Sequence, residues 1–122
     1  MRYPLVFYTK TFLPEHAAGC ARGPVIIIDP DKRGDEGLYQ HELEHVKQAA
    51  LTLFIRHALL YLFWRAYRQW AEVNAYAVQT KYPNKHGVNM SLELGAWRLC
   101  LPQYDLNLSL TAAVDALIEA GA

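Results

Sequence analysis

Between Leu38 and Tyr82 the chain carries a helical pattern of apolar residues that runs on with little interruption, and this run limits what it can fold into. The whole chain has only 122 residues. A single helix of ~45 residues would be far longer than the helices of compact domains. The chain is therefore expected to turn back inside the run, at residues 54 to 62, with a second helix starting near Tyr61. That stretch contains neither glycine nor proline, so the usual signs of a turn are missing there.

The first half of the run contains Gln40-His41-Glu42-Leu43-Glu44-His45-Val46-Lys47-Gln48, an HExxH pattern. Two histidines four apart lie one turn apart on one helix face, so both imidazoles can point at one metal ion with Glu42 beside them. Leu43, Val46, Ala50, Leu53 and Phe54 fall on one side of this helix, roughly opposite the face of His41, His45 and Gln48. One face can pack while the other lines a site. Asp35 and Glu36 stand where a helix starting near Leu38 favours negative charge.

A catalytic zinc site typically takes three protein ligands and keeps a fourth position for water. The second half of the run holds Glu72, 27 positions after His45 (72 − 45). With legs of ~14 to 17 Å on either side of a turn, an antiparallel return brings Glu72 level with the histidines. In one straight helix it would instead lie ~40 Å from His45. The expected metal ligands are thus His41, His45 and Glu72. Glu42 is the expected general base, taking a proton from a metal-activated water and passing it to the leaving amine. Tyr76, one turn beyond Glu72, and Tyr39 are the candidates to stabilise the oxyanion; Asn74, Asp29 and Asp31 are candidates to orient a ligand. His57 is out of phase with the motif histidines and His16 has no partner spacing, so packing and loop roles are expected for them.

The rest of the chain reads as a frame for this pair of helices. Tyr3 to Lys10 suits a short strand, and Val25-Ile26-Ile27-Ile28 suits a strand buried on both faces. Residues 14 to 24, with two prolines and two glycines, read as a loop. Pro83-Asn84 closes the second helix of the run. Ser91 can cap a helix to about Leu101, and Ser109 or Thr111 a last helix ended by Gly121. The fold class is α+β, in a single domain over residues 1–122: a small N-terminal sheet, an antiparallel pair of site helices, and C-terminal helices. A neighbouring strand edge can take an extended peptide by strand addition.

Composition narrows the partners. Twelve basic and twelve acidic residues cancel, which argues against nucleic acid and against an anionic membrane as a partner. The most apolar stretch, Ala49 to Trp64, is shorter than the ~20 residues a membrane span needs and has Arg56 and His57 in its middle. No stable membrane insertion is expected. The N-terminus lacks the pattern of a secretory signal, so a cytoplasmic location is expected, with Cys20 and Cys100 as free thiols.

His41-Glu42-x-x-His45-x-x-Gln48, followed by Glu72-Val73-Asn74-Ala75-Tyr76, resembles the gluzincin class of zinc metallopeptidases. The likeness covers residues 24 to 82 and is greatest to short members, some of them phage-encoded. It implies a zincin-like fold, one Zn2+, a peptide or protein substrate, and the roles given above to His41, His45, Glu42 and Glu72. Two features depart from the class. These 122 residues are not expected to include the further domain that forms a second cleft wall in larger members, and Tyr76 stands where thermolysin-like relatives carry an aspartate. The leading expectation is a compact zinc-dependent peptidase. The alternatives are a zincin-like domain that binds metal or a partner without turnover, and a helical protein in which the motif is accidental.

Overall fold

The computed structural model describes residues 4–14, 17–52 and 54–122. Tyr3, His16 and Leu53, which the sequence assigns to the first strand, a loop and the apolar side of the motif helix, lie outside the described residues. The protein is α+β, with a three-stranded sheet followed by five helices among the described residues.

The sheet contains β1 (Leu5–Tyr8), β2 (Gly19–Arg22) and β3 (Val25–Ile28) in the order β1-β3-β2. Central β3 runs parallel to β1, with Leu5 opposite Val25, and antiparallel to β2, with Arg22 opposite Val25. The presence of β2 corrects the expectation of a loop over residues 14 to 24. Gly23 has φ +57 and is followed by Pro24, which cannot adopt positive φ, so the two form a tight hairpin turn of the type with glycine first. Gly-Cys-Ala-Arg is too short and mixed to show the alternation by which strands are recognised. Ile26, Ile27 and Ile28 are all buried, as their continuous run implies. Ile26 and Ile28 pack on Leu38 and Val46 of the first helix.

That helix, α1 (Glu36–Leu51), starts two residues before the expected Leu38, because the Asp35 carboxylate accepts the Leu38 N–H at 2.9 Å. At its end the Thr52 hydroxyl donates to Gln48 C=O at 2.9 Å and the Phe54 N–H to Ala49 C=O at 2.6 Å. Phe54 then takes φ +52, a conformation that costs a bulky residue on the order of 1–3 kcal/mol. A separate short helix, α2 (Ile55–Phe63), leaves at 110° to α1. The chain breaks again at Trp64, which is extended at φ −123 and ψ 103, before α3 (Arg65–Gln79). The run does turn back, but the breaks flank residues 55–63 instead of falling between Phe54 and Leu62. Neither break has a residue type that announces it.

Arg68 holds the second break. Its guanidinium donates to the C=O groups of Tyr61 (2.9 Å) and Leu62 (3.4 Å) at the end of α2, and to those of Tyr104 (2.6 Å) and Asp105 (3.1 Å) in a later loop. Its five donors thus satisfy carbonyls that a helix end leaves unpaired.

Helices α1 and α3 are antiparallel. The Gly37 N–H donates to Pro83 C=O at 2.9 Å at one end of the pair, and Gln48 reaches Ala71 C=O at 3.1 Å towards the other. On the far side of α3 lie α4 (Leu92–Leu99) and α5 (Leu110–Glu119), where Val73, Tyr76 and Ala77 meet Ala96, Leu99, Leu106, Ala113 and Leu117 in a second core. Ser91 and Ser109 cap these helices, accepting from Leu94 and Ala112 N–H at 3.1 Å. Sheet, α1, α3 and the α4–α5 pair thus form successive layers, with the face between α1 and α3 at the centre.

At Gly37 a Cβ would stand 2.9 Å from Tyr82 O and 3.2 Å from Gln79 O, both backbone atoms. Helix propensity alone favours alanine over glycine by about 1 kcal/mol. The contact reverses the sign: Gly37→Ala is expected to destabilise the fold by roughly 1–3 kcal/mol in urea titration. An unchanged or raised midpoint would show that α1 and α3 do not approach this closely.

Candidate metal centre

The layered packing brings His41 and His45 of α1 against Glu72 of α3, all three buried. One atom from each residue lies within 4.8 Å of the other two, and the group can hold a metal ion. The Glu72 Oε1 atom is 3.4 Å from His41 Nε2 and 3.2 Å from His45 Nε2. Two donor atoms bound to one tetrahedral ion at ~2.0–2.1 Å stand ~3.3 Å apart. The two Glu72–histidine spacings therefore match edges of a tetrahedral ligand set and are longer than a usual charge-assisted hydrogen bond.

Hydrogen bonding around His45 supports the same reading. Ala71 C=O can only accept, so the Gln48 amide must turn its NH2 towards it and its Oε1 towards His45 Nδ1, at 3.0 Å. His45 Nδ1 then carries the proton and donates it to Gln48. In the neutral ring the Nε2 lone pair faces the Glu72 carboxylate, and two acceptors must share a cation. In the metal-free chain that cation is a proton; a metal ion answers the same need. Glu72 Oε2 is occupied separately, accepting a hydrogen bond from the Tyr61 hydroxyl. One carboxylate oxygen is thus turned to the histidines and the other is held by α2.

Protonation follows from these contacts. Burial alone would lower the His45 pKa, but the Glu72 charge and the hydrogen bond to it outweigh burial and raise it from 6.5 to about 9. Burial alone would raise the Glu72 carboxyl, yet the His45 charge and the bonds from both histidines hold it well below the usual carboxylate range. For Glu42 burial outweighs the opposing charges of His41 and His45. Its carboxylate lies 3.9 Å from His41 Nε2 and receives no hydrogen bond among the described residues, and burial pushes its pKa up.

The remaining side chains sort by position. Tyr76 is at the centre, its ring edge-on to His41 with centroids 4.4 Å apart, but its hydroxyl is hydrogen-bonded to that of Tyr104. Burial raises the pKa of both tyrosines, so they stay neutral donors. Tyr39 packs in the cluster against the sheet, away from the histidines. The Asn74 amide donates to Trp70 C=O in its own helix at 2.8 Å. Asp29 accepts from the Asp31 N–H, and Asp31 pairs with Lys10 at the surface. These four are not brought to the site. His57 bonds the Tyr67 hydroxyl at 2.7 Å, which is a packing role. His41 Nδ1 is buried without a hydrogen-bond partner among the described residues.

Three contributors, Gln48, Tyr61 and Tyr104, have no role assigned by the sequence, although Gln48 falls on the histidine face. Gln48 had a legible signal, since a residue three after His45 shares its face. Tyr61 and Tyr104 had none, because their positions depend on the breaks at Phe54 and Trp64 and on the Arg68 clamp.

The titration of His45 predicts how the metal-free protein responds to pH. A folded pKa of about 9 against an ordinary 6.5 gives stability that is fully present below pH 6.5 and lost as pH rises through 9. The depressed Glu72 works at the other end, stabilising above its ordinary pKa of 4.5 and failing as pH falls below it. Urea midpoints in chelator are expected to drop steadily from about pH 6.5 to 9; a flat or rising profile there would refute the pairing. Replacing Gln48 by leucine frees the His45 ring, and metal affinity in chelator competition should fall about 10- to 100-fold with the helical spectrum unchanged. No family model, curated protein or solved structure matches this chain, and the centre is defined by its own geometry.

Proposed function

We propose that the protein is a zinc-dependent peptidase or closely related amide hydrolase of the gluzincin type, with a minimal zincin-like fold. The observation that carries the reading is the position of Glu72 Oε1 at tetrahedral-edge distances from both Nε2 atoms of an HExxH helix. The donor set of two imidazoles and one carboxylate suits zinc and leaves one position for a non-protein ligand. A zinc ion held by His41, His45 and Glu72 supplies a Lewis acid that polarises a carbonyl and acidifies water.

The chain's own residues do the remainder. Glu42, one residue after His41 and near its Nε2, takes the proton from the attacking water and returns it to the leaving amine. Its raised pKa suits a group that must both accept and give up a proton near neutrality. Gln48 fixes the His45 tautomer, and Tyr61 holds the carboxylate oxygen that does not face the histidines. Tyr76, whose ring packs edge-on to His41, and its hydrogen-bond partner Tyr104 offer neutral hydroxyls for the developing oxyanion.

An extended peptide is the substrate class that the surroundings favour. Strand β2 is at an edge of the sheet, and a Cβ added at its Gly19 would meet Glu42 Cγ at 3.5 Å. A chain laid along that edge by strand addition passes close to the proposed base.

Burial favours a second reading, metal binding without turnover. His41, Glu42, His45 and Glu72 are each no more than 8% exposed, which leaves a substrate carbonyl little access. Glu42→Gln distinguishes the two. For a hydrolase it should keep one zinc per chain and lose peptide hydrolysis by at least about 10²-fold. Glu72→Ala should lose the zinc itself; a chain that still holds one tightly bound zinc after this change would overturn the ligand set.

A further inference from the structure

Helix α2 has two unlike sides. Its inner side carries His57 and Tyr61, bonded to Tyr67 and Glu72. Its outer side carries Ile55, Leu59, Leu62 and Phe63 at helical spacing, exposed by 77%, 54%, 65% and 82%. Trp64, immediately after the helix, is also exposed. A contiguous exposed apolar row rimmed by polar residues is the kind of surface that marks an interaction site.

The stretch of sequence that contains this row is one-sided in charge, and Asp105 is the acidic residue that reaches its end, through Arg65 and Arg68. Although the chain as a whole is neutral, residues 45 to 71 contain no aspartate or glutamate, while Lys47, Arg56, Arg65 and Arg68 all fall within them. Arg65 and Arg68 are engaged with Asp105. Lys47 and Arg56 are exposed and have no acidic partner among the described residues. Apolar residues flanked by cations, with a tryptophan at the edge, match the chemistry of an anionic bilayer surface, where acyl chains take the apolar side chains and headgroups take the charges.

We propose that the outer face of α2 docks peripherally on anionic lipid surfaces. The helix is nine residues long and lies in the interface; among the described residues no single helix is long and apolar enough to cross a bilayer. This inference does not depend on hydrolysis. It does place a lipid contact on the same helix that holds Glu72 through Tyr61.

The test is flotation of the full chain with phosphatidylserine-containing vesicles and with phosphatidylcholine vesicles, at low and high salt. Roughly tenfold or greater preference for the anionic vesicles is expected, falling as salt rises. Leu62→Glu with Phe63→Glu should abolish binding, and Arg56→Glu should reduce it several-fold. Both residues of the double change are exposed, so its circular dichroism should match the parent chain. Failure to float with anionic vesicles at low salt overturns the proposal, as does binding that survives the double change. A parent chain that sediments as a dimer and becomes monomeric in the double variant also overturns it, by assigning the face to a second copy.

Discussion

Glu72 is a carboxylate with 3% exposure, and a charge so buried must be shared with a partner. Its partners are two imidazole nitrogens, both directed at one of its oxygens. This demand organises much of the structure. It requires α3 to return alongside α1, it requires His45 to be turned by Gln48, and it occupies the hydroxyl of Tyr61. The arrangement is stable with a proton shared in the cluster, and its donor spacing suits a metal ion equally well. A charged group held in this way is the chemical basis for both the fold's centre and its proposed activity.

The return of α3 is achieved without glycine or proline at either break. Phe54 adopts positive φ at a cost, and Trp64 is extended although both neighbours are helical. What compensates is long-range. Arg68 ties the end of α2 to the loop at Tyr104 and Asp105, and Gly37 and Gln48 tie α1 to α3 near both ends of their contact. The same compensation leaves α2 with His57 and Tyr61 turned inwards and Ile55, Leu59, Leu62 and Phe63 outwards. An apolar helix so oriented is the opposite of what burial alone would produce, and it sets the surface chemistry of this region.

The sequence by itself determined the local features. Asp35, Ser91 and Ser109 cap helices because their side chains reach amides within one turn, and Ile26, Ile27 and Ile28 are buried because nothing in their run tolerates water on either face. His41, Glu42 and His45 share a region of one helix by periodicity alone, and a returning helix was enough to nominate Glu72. These are interactions of short range in the chain, so residue type and spacing specify them.

Only the tertiary structure decided the rest. It converted the expected loop before residue 25 into β2, placed the breaks at Phe54 and Trp64, and made α2 a helix of its own. It also chose Gln48 and Tyr61 as the groups that hold the ligands, while Tyr39 went to the sheet and Asn74 to its own helix. The reason is physical. A bend without glycine or proline has no local preference behind it and exists because distant contacts outweigh its strain, and the groups it carries to the centre are legible only once those contacts are known.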